Sequence, residues 1–121
     1  MQENRTKPYN LEERTLVFTK EVIRLCQKVP KDTINRNLVD QLIRASGSIG
    51  ANYREANENL SKKDLLHRIK IARKEAKETT YWLELLKETN DRWGQEIDVL
   101  ISETKELRNI LSKIISNLSE G

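Results

Sequence analysis

Ala45-Ser46-Gly47-Ser48-Ile49-Gly50-Ala51 is the stretch whose reading decides the fold. Two glycines inside a helix cost about 1 kcal/mol each relative to alanine. Either the chain breaks here, or small residues are kept because another backbone approaches closely. The apolar spacing favours the second. Leu38, Leu42, Ala45, Ile49, Tyr53 and Ala56 recur at three- and four-residue steps straight through the stretch, without a phase break. One continuous helix over about 34–58 follows.

Three more segments share this period. Before the stretch, Leu11, Thr15, Phe18, Val22, Leu25, Cys26 and Val29 form one stripe on a helix over about 11–28. Asn10 and Glu13 resemble a capping box at its start. Pro30 ends it, because the residue before proline avoids the α region. After the stretch, Ser61 caps a helix over about 62–90, with Asp64 in its first turn where the helix dipole favours an anion. Its stripe is Leu65, Ile69, Ala72, Ala76, Thr79, Leu83 and Leu86. A loop from Asn90 to Gly94 leads to the fourth helix, over about 95–118. There Ile97, Leu100, Ile101, Thr104, Leu107, Leu111, Ile114, Ile115 and Leu118 face one way. Four amphipathic helices with short connections predict an all-α, antiparallel, up-down-up-down four-helix bundle forming one domain over 1–121.

Composition agrees. Leu, Ile, Val and Phe number 32 of 121 residues, enough for one core, and Gly plus Pro is only 6, too few for the turns of a sandwich or barrel. No apolar run approaches the length of a membrane-spanning helix. MQENRTKPYN at the start has no hydrophobic signal core, and the single Cys26 cannot form an internal disulfide. The expected compartment is the cytoplasm.

Little here suggests catalysis. His67 is the one histidine, and catalytic clusters usually draw on His, Cys or paired carboxylates. A di-metal carboxylate bundle needs Glu-x-x-His on two helices. Glu75 and Glu78 are three apart, but Ala76 and Thr79 mark the core face beside them. No catalytic residue, metal or cofactor is expected. His67 reads as a surface residue and Cys26 as a small buried hydrophobe.

A second apolar set is present. On the third helix Ile71, Trp82 and Leu85 project to one side of the core stripe, with Tyr81 at the edge. On the second helix the set is Val39, Ile43, Ser46 and Gly50. Wide core stripes with ordinary exposed hydrophobics would account for both. The preferred reading is a subunit interface anchored by Trp82, since large apolar patches mark contact surfaces.

Charge is polarised. Residues 61–77 carry Lys62, Lys63, Arg68, Lys70, Arg73, Lys74 and Lys77 against two acids, while residues 78–121 hold nine acids against five bases. On a helical wheel Lys63, Lys70, Lys74 and Lys77 lie opposite the core. Such a patch suits RNA or DNA phosphates. A solvated face that keeps the bundle soluble explains it as well, and net charge is only +3. Asn52, at the edge of the core stripe, needs a buried partner. Glu55 has an arginine on another helix or another subunit as its natural partner.

Ser48-Ile49-Gly50-Ala51-Asn52-Tyr53-Arg54-Glu55-Ala56 resembles the signature of the four-helix-bundle family encoded in intervening sequences of bacterial 23S ribosomal RNA. Relatives often read Ser-Ile-Pro-Ala/Ser-Asn-Ile-Ala-Glu-Gly. This chain departs at Gly50, at Tyr53-Arg54 and at Ala56. Asn37-Leu38-Val39-Asp40-Gln41-Leu42-Ile43-Arg44-Ala45 is similar to the family's lead-in. Lys74-Glu75-Ala76-Lys77-Glu78-Thr79 with Tyr81-Trp82-Leu83-Glu84-Leu85-Leu86 resembles its third helix. The resemblance runs from about Tyr9 to Leu118. It implies a homopentameric ring of undefined biochemical role. The accessory protein of diversity-generating retroelements is similar in fold, and it binds nucleic acid and a reverse transcriptase. The partners implied are therefore a second copy of the chain, RNA or DNA, and a reverse transcriptase, with no membrane.

Overall fold

The computed structural model describes residues 10–58 and 61–120. Four helices, α1 (Leu11–Lys28), α2 (Thr33–Ala56), α3 (Lys62–Glu88) and α4 (Gly94–Glu120), follow one another without strands among these residues. α2 runs through Gly47 and Gly50 unbroken, as the apolar period requires. It stops two residues short of the expected end. A 3-10 turn, Asp91–Trp93, occupies most of the loop before α4, with the Arg92 guanidinium 5.1 Å over the Trp93 ring. The reading of residues 1–9 as lacking a signal core lies outside the described residues.

Side chains start three of the helices. Asn10 Oδ1 accepts from the amides of Glu12 at 2.7 Å and Glu13 at 3.4 Å. Asp32 accepts from Asn35 at 2.8 Å, and Ser61 from Asp64 at 3.2 Å. Each satisfies an amide that has no partner inside its helix.

α1 packs on α2, α2 on α3 and α3 on α4, which is the up-down order, whereas α1 meets α4 only sparsely. Phe18, Val22 and Leu25 of α1, Leu42 and Ile49 of α2, Ile69, Leu83 and Leu86 of α3, and Ile97, Leu107 and Leu111 of α4 form the buried centre. Polar links bridge the sparse α1–α4 edge. Arg14 pairs with Glu103 and with Glu106, each at 2.7 Å, which holds its guanidinium well above its ordinary pKa. Lys28 pairs with Glu96 at 3.0 Å.

Two of the four residues of the second set on α2, Ser46 and Gly50, have a different destination from the one expected. They face α1 of the same chain. A Cβ added at Gly50 would sit 2.8 Å from Thr15 Oγ1 and 3.2 Å from Thr15 Cβ. Gly50 is thus the point of close helix approach. Ser46 is fully buried, and its carbonyl accepts from Thr19 Oγ1 at 3.1 Å. Val39 and Ile43 are half-buried against the core. Ser46 and Gly50 therefore do not face outward as a subunit contact would require. A helix between two neighbours needs an apolar arc wider than one narrow stripe, and that arc takes in Ser46 and Gly50.

At the loop end a reciprocal amide pair ties the two connections together. Asn35 Nδ2 donates to Asn90 Oδ1 at 3.0 Å, and Asn90 Nδ2 donates to Asn35 Oδ1 at 2.9 Å. Asn35 also donates to the Pro30 carbonyl, and Asn90 to that of Leu86. Both asparagines are buried. Among the described residues, no helix is long and apolar enough to cross a membrane.

Candidate functional site

The seven bases of the 61–77 block do not form one cluster. Lys63, Lys70, Lys74 and Lys77 are exposed on the outer face of α3. Lys63, Lys70 and Lys77 fall seven residues apart, so their positions line one stripe at about 10.5 Å intervals. Among the described residues none of these three forms an ion pair. Lys74 lies 3.9 Å from Glu78, a loose contact between exposed groups. Lys62 is exposed at the helix start, off the stripe. Arg68 and Arg73 are half-buried and turn to opposite sides. Arg73 Nη1 donates toward Ser112 Oγ on α4 at 3.4 Å, and Arg68 Nη1 donates to Asn52 Oδ1 on α2 at 3.0 Å.

That last bond gives the Ser48–Glu55 motif its structural role. Asn52 Nδ2 donates to the Ser48 carbonyl at 2.9 Å and to Ser48 Oγ at 3.0 Å, which fixes the amide so that its oxygen faces Arg68. Ser48, Asn52 and Arg68 form one chain across α2 and α3. Ile49 is core, Gly50 meets α1, and Ala51 and Glu55 are exposed. Glu55 forms no ion pair among the described residues.

The α3 part of the second apolar set lies on one flank of the core stripe. Ile71, Trp82 and Leu85 are half-buried, and Tyr81 is 56% exposed. Tyr81 and Trp82 meet edge to face, with ring centres 5.2 Å apart and planes at 69°. Trp82 also packs against the core, so its burial within the chain is partial. Its Nε1 is enclosed and has no hydrogen-bond partner.

Sequence reasoning weighed Glu75 only as a metal ligand and missed its burial on the same flank. It is 9% exposed, and its Oε1 is enclosed without a partner. Burial raises its carboxyl above the ordinary value, and the like charge of Glu78 adds to the rise, while Lys74 and Arg44 oppose it. The available signal was its position seven residues before Trp82, on the edge of the core arc.

Cys26 is buried, and desolvation pushes its thiol up to about 11, which removes the thiolate at neutral pH. His67 is exposed. Among the described residues no group of three or more His, Cys, Asp or Glu side chains is placed to hold a metal ion.

The profile of the 23S rRNA-intervening sequence proteins matches residues 9–113. The chain belongs to that family. Among solved structures, it resembles a protein of unknown function from the S23 ribosomal protein family of Bacteroides thetaiotaomicron. The two are 31% identical, the match covers 88% of this chain and 98% of that one, and the TM-score is 0.75. No curated protein matches. The family match spans the Ser48–Glu55 motif, the Asn52–Arg68 link and the lysine stripe.

Proposed function

We propose that this family member is a non-enzymatic, homo-oligomeric bundle that binds the RNA or DNA backbone through the outer face of α3. The lysine stripe carries this reading: Lys63, Lys70 and Lys77 are exposed and line one side of one rigid helix. Lysines held out of ion pairs are free to replace the counterions of phosphates. One copy presents a modest field. Repetition of the stripe in several copies concentrates it. The flank of half-buried Ile71, Trp82 and Leu85 with exposed Tyr81 supports assembly, because aromatic and aliphatic groups left partly open are typical contact anchors. A ring of five copies is the form the family resemblance implies. The bundle acts by positioning nucleic acid and carries out no chemistry on it.

A second reading is a scaffold or accessory subunit, for instance of a reverse transcriptase, that contacts protein alone. The exposed Tyr81 ring against Trp82 favours it.

Binding of a structured RNA, followed by fluorescence anisotropy at several salt concentrations, separates the two. Replacing Lys63, Lys70 and Lys77 with Gln should weaken binding and flatten its salt dependence. Equal binding by the triple variant would remove the stripe from the interface. For assembly, Trp82→Glu should lower the mass measured by light scattering while circular dichroism stays helical. An unchanged mass would remove Trp82 from the contact.

A further inference from the structure

We propose that Glu75 is a proton-controlled latch in the seam between α2 and α3, with Arg44 as the arm that changes partner. All the groups involved belong to one chain, so the inference does not depend on assembly or nucleic-acid binding.

The geometry is an acceptor enclosed beside cations that are turned elsewhere. Glu75 Oε1 is buried and accepts no hydrogen bond. The charged groups facing it are Glu78 and Lys74 on α3 and Arg44 on α2. Arg44 Nη2 donates to Gln41 Oε1 at 2.6 Å, and Lys74 leans toward Glu78 at 3.9 Å. The α4 side of α3 is the other flank, where Arg73 meets Ser112 and Thr80 meets Thr104. An ionised carboxylate with one oxygen enclosed and unpartnered is poorly stabilised. A neutral carboxylic acid fits, and Glu78, one turn further on, is a neighbouring carboxyl whose like charge favours the proton. Trp82, two helical turns further on, places its enclosed indole N–H on the same flank.

The latch has two states. In the closed state Glu75 keeps its proton, and Arg44 stays on Gln41. As pH rises the proton passes to water. Two ionised carboxylates then stand near each other, Glu75 in the seam and Glu78 at its exposed edge, which their repulsion disfavours. Arg44 leaves Gln41 and pairs with Glu75, while Glu78 turns outward to solvent. The carboxylate swings toward α2, and the packing around Trp82 changes with it.

Tryptophan emission reads this out. Trp93→Phe leaves Trp82 as the single indole, and the full chain is titrated from about pH 4 to pH 9, a range that brackets the ordinary glutamate value of about 4.3. One transition is expected, with its midpoint above that ordinary value. Glu75→Gln should abolish it. Arg44→Met should raise the midpoint by about one unit, a tenfold change in proton affinity, because the ionised form loses its partner. Glu78→Gln should lower it, because the like charge is gone. A transition at the ordinary value, one that survives Glu75→Gln, or shifts of the same sign in the other two variants would each overturn the latch. Should Glu75→Gln fail to fold by circular dichroism, the opposed shifts of Arg44→Met and Glu78→Gln still decide.

Discussion

Alanine at Gly47 and alanine at Gly50 should have opposite effects, although both glycines lie in the interior of one helix. Each substitution removes the excess backbone entropy of glycine, a gain of about 0.5–1 kcal/mol in a helix interior. At Gly47 nothing lies within 4 Å of the added Cβ, so the gain stands unopposed. At Gly50 the new Cβ would meet Thr15 Oγ1 at 2.8 Å and Thr15 Cβ at 3.2 Å. Thr15 cannot easily swing aside. It is β-branched and buried, and its hydroxyl donates to the Leu11 carbonyl at 2.7 Å. Either α1 moves or that hydroxyl bond is lost, and overpacking of this kind costs about 1–3 kcal/mol. Gly50→Ala should therefore be about 1 kcal/mol less stable than the parent, and Gly47→Ala about 1 kcal/mol more stable. The difference of about 2 kcal/mol corresponds to a gap of about 8 °C in Tm for a domain of this size. Urea and thermal melts at one fixed protein concentration measure it, since assembly would make Tm depend on concentration. Thr15→Ala should rescue Gly50→Ala, with a coupling of at least about 1 kcal/mol in the double-mutant cycle. Equal effects of the two alanines, or additivity with Thr15→Ala, would refute the close approach. Destabilisation by Gly47→Ala would instead mean that another chain covers that side of α2.

Asn35→Leu should destabilise the bundle by about 2–3 kcal/mol in urea melts, because the Asn90 amide is left buried without its reciprocal partner; a loss within error would mean that water replaces the pair. Cys26, with its thiol raised to about 11, should resist iodoacetamide at pH 8 in the folded protein and react once urea is added. Rapid labelling without urea would contradict its burial. The raised Glu75 carboxyl makes the folded state hold its proton more tightly than the unfolded chain. That contribution is fully present below the unfolded value of about 4.3 and is lost as pH rises through the folded one. Glu75→Gln should therefore gain on wild type as pH climbs through this window, and a stability difference independent of pH would refute the shift.

The helices were readable because their period is redundant: each stripe repeats over several turns, and Asn10, Ser61 and Pro30 mark ends by local chemistry alone. The second set on α2 was harder. Ser46 and Gly50 are small, and spacing cannot say whether a small residue meets a neighbour of its own chain or a second copy. Only the 2.8 Å approach of Thr15 assigns Gly50 to α1. The partner of Asn52 is Arg68, 16 residues away across a turn, a distance that no periodic argument reaches. Asn35 and Asn90 are 55 residues apart and were not singled out for the same reason. Glu75 was weighed only as a metal ligand, and its burial escaped because an acid between a lysine and an alanine on an otherwise charged helix reads as surface. Its burial is a consequence of tertiary packing at the edge of the core arc.

The split of the basic block bears on how the assembly and nucleic-acid readings combine. Arg68 and Arg73 are tied to α2 and α4, so the stripe of Lys63, Lys70 and Lys77 supplies three cations per copy that form no ion pair among the described residues. Each phosphate neutralised on duplex contributes about −0.9 to the slope of log K against log salt, and about −0.7 on a single strand. One copy then accounts for a slope of about −2.7 on duplex, and two copies engaged together for about −5.4. The slope therefore counts subunits as well as charges. If Trp82→Glu yields a monomer, its slope should fall to the single-copy value while each lysine still contributes its share. A monomer that keeps the slope of the parent would mean that only one copy ever touches the nucleic acid, and that assembly serves another purpose. A parent slope near zero would leave the lysines as a solubilising face and favour the protein-contact reading, in which Tyr81 and Trp82 carry the interface.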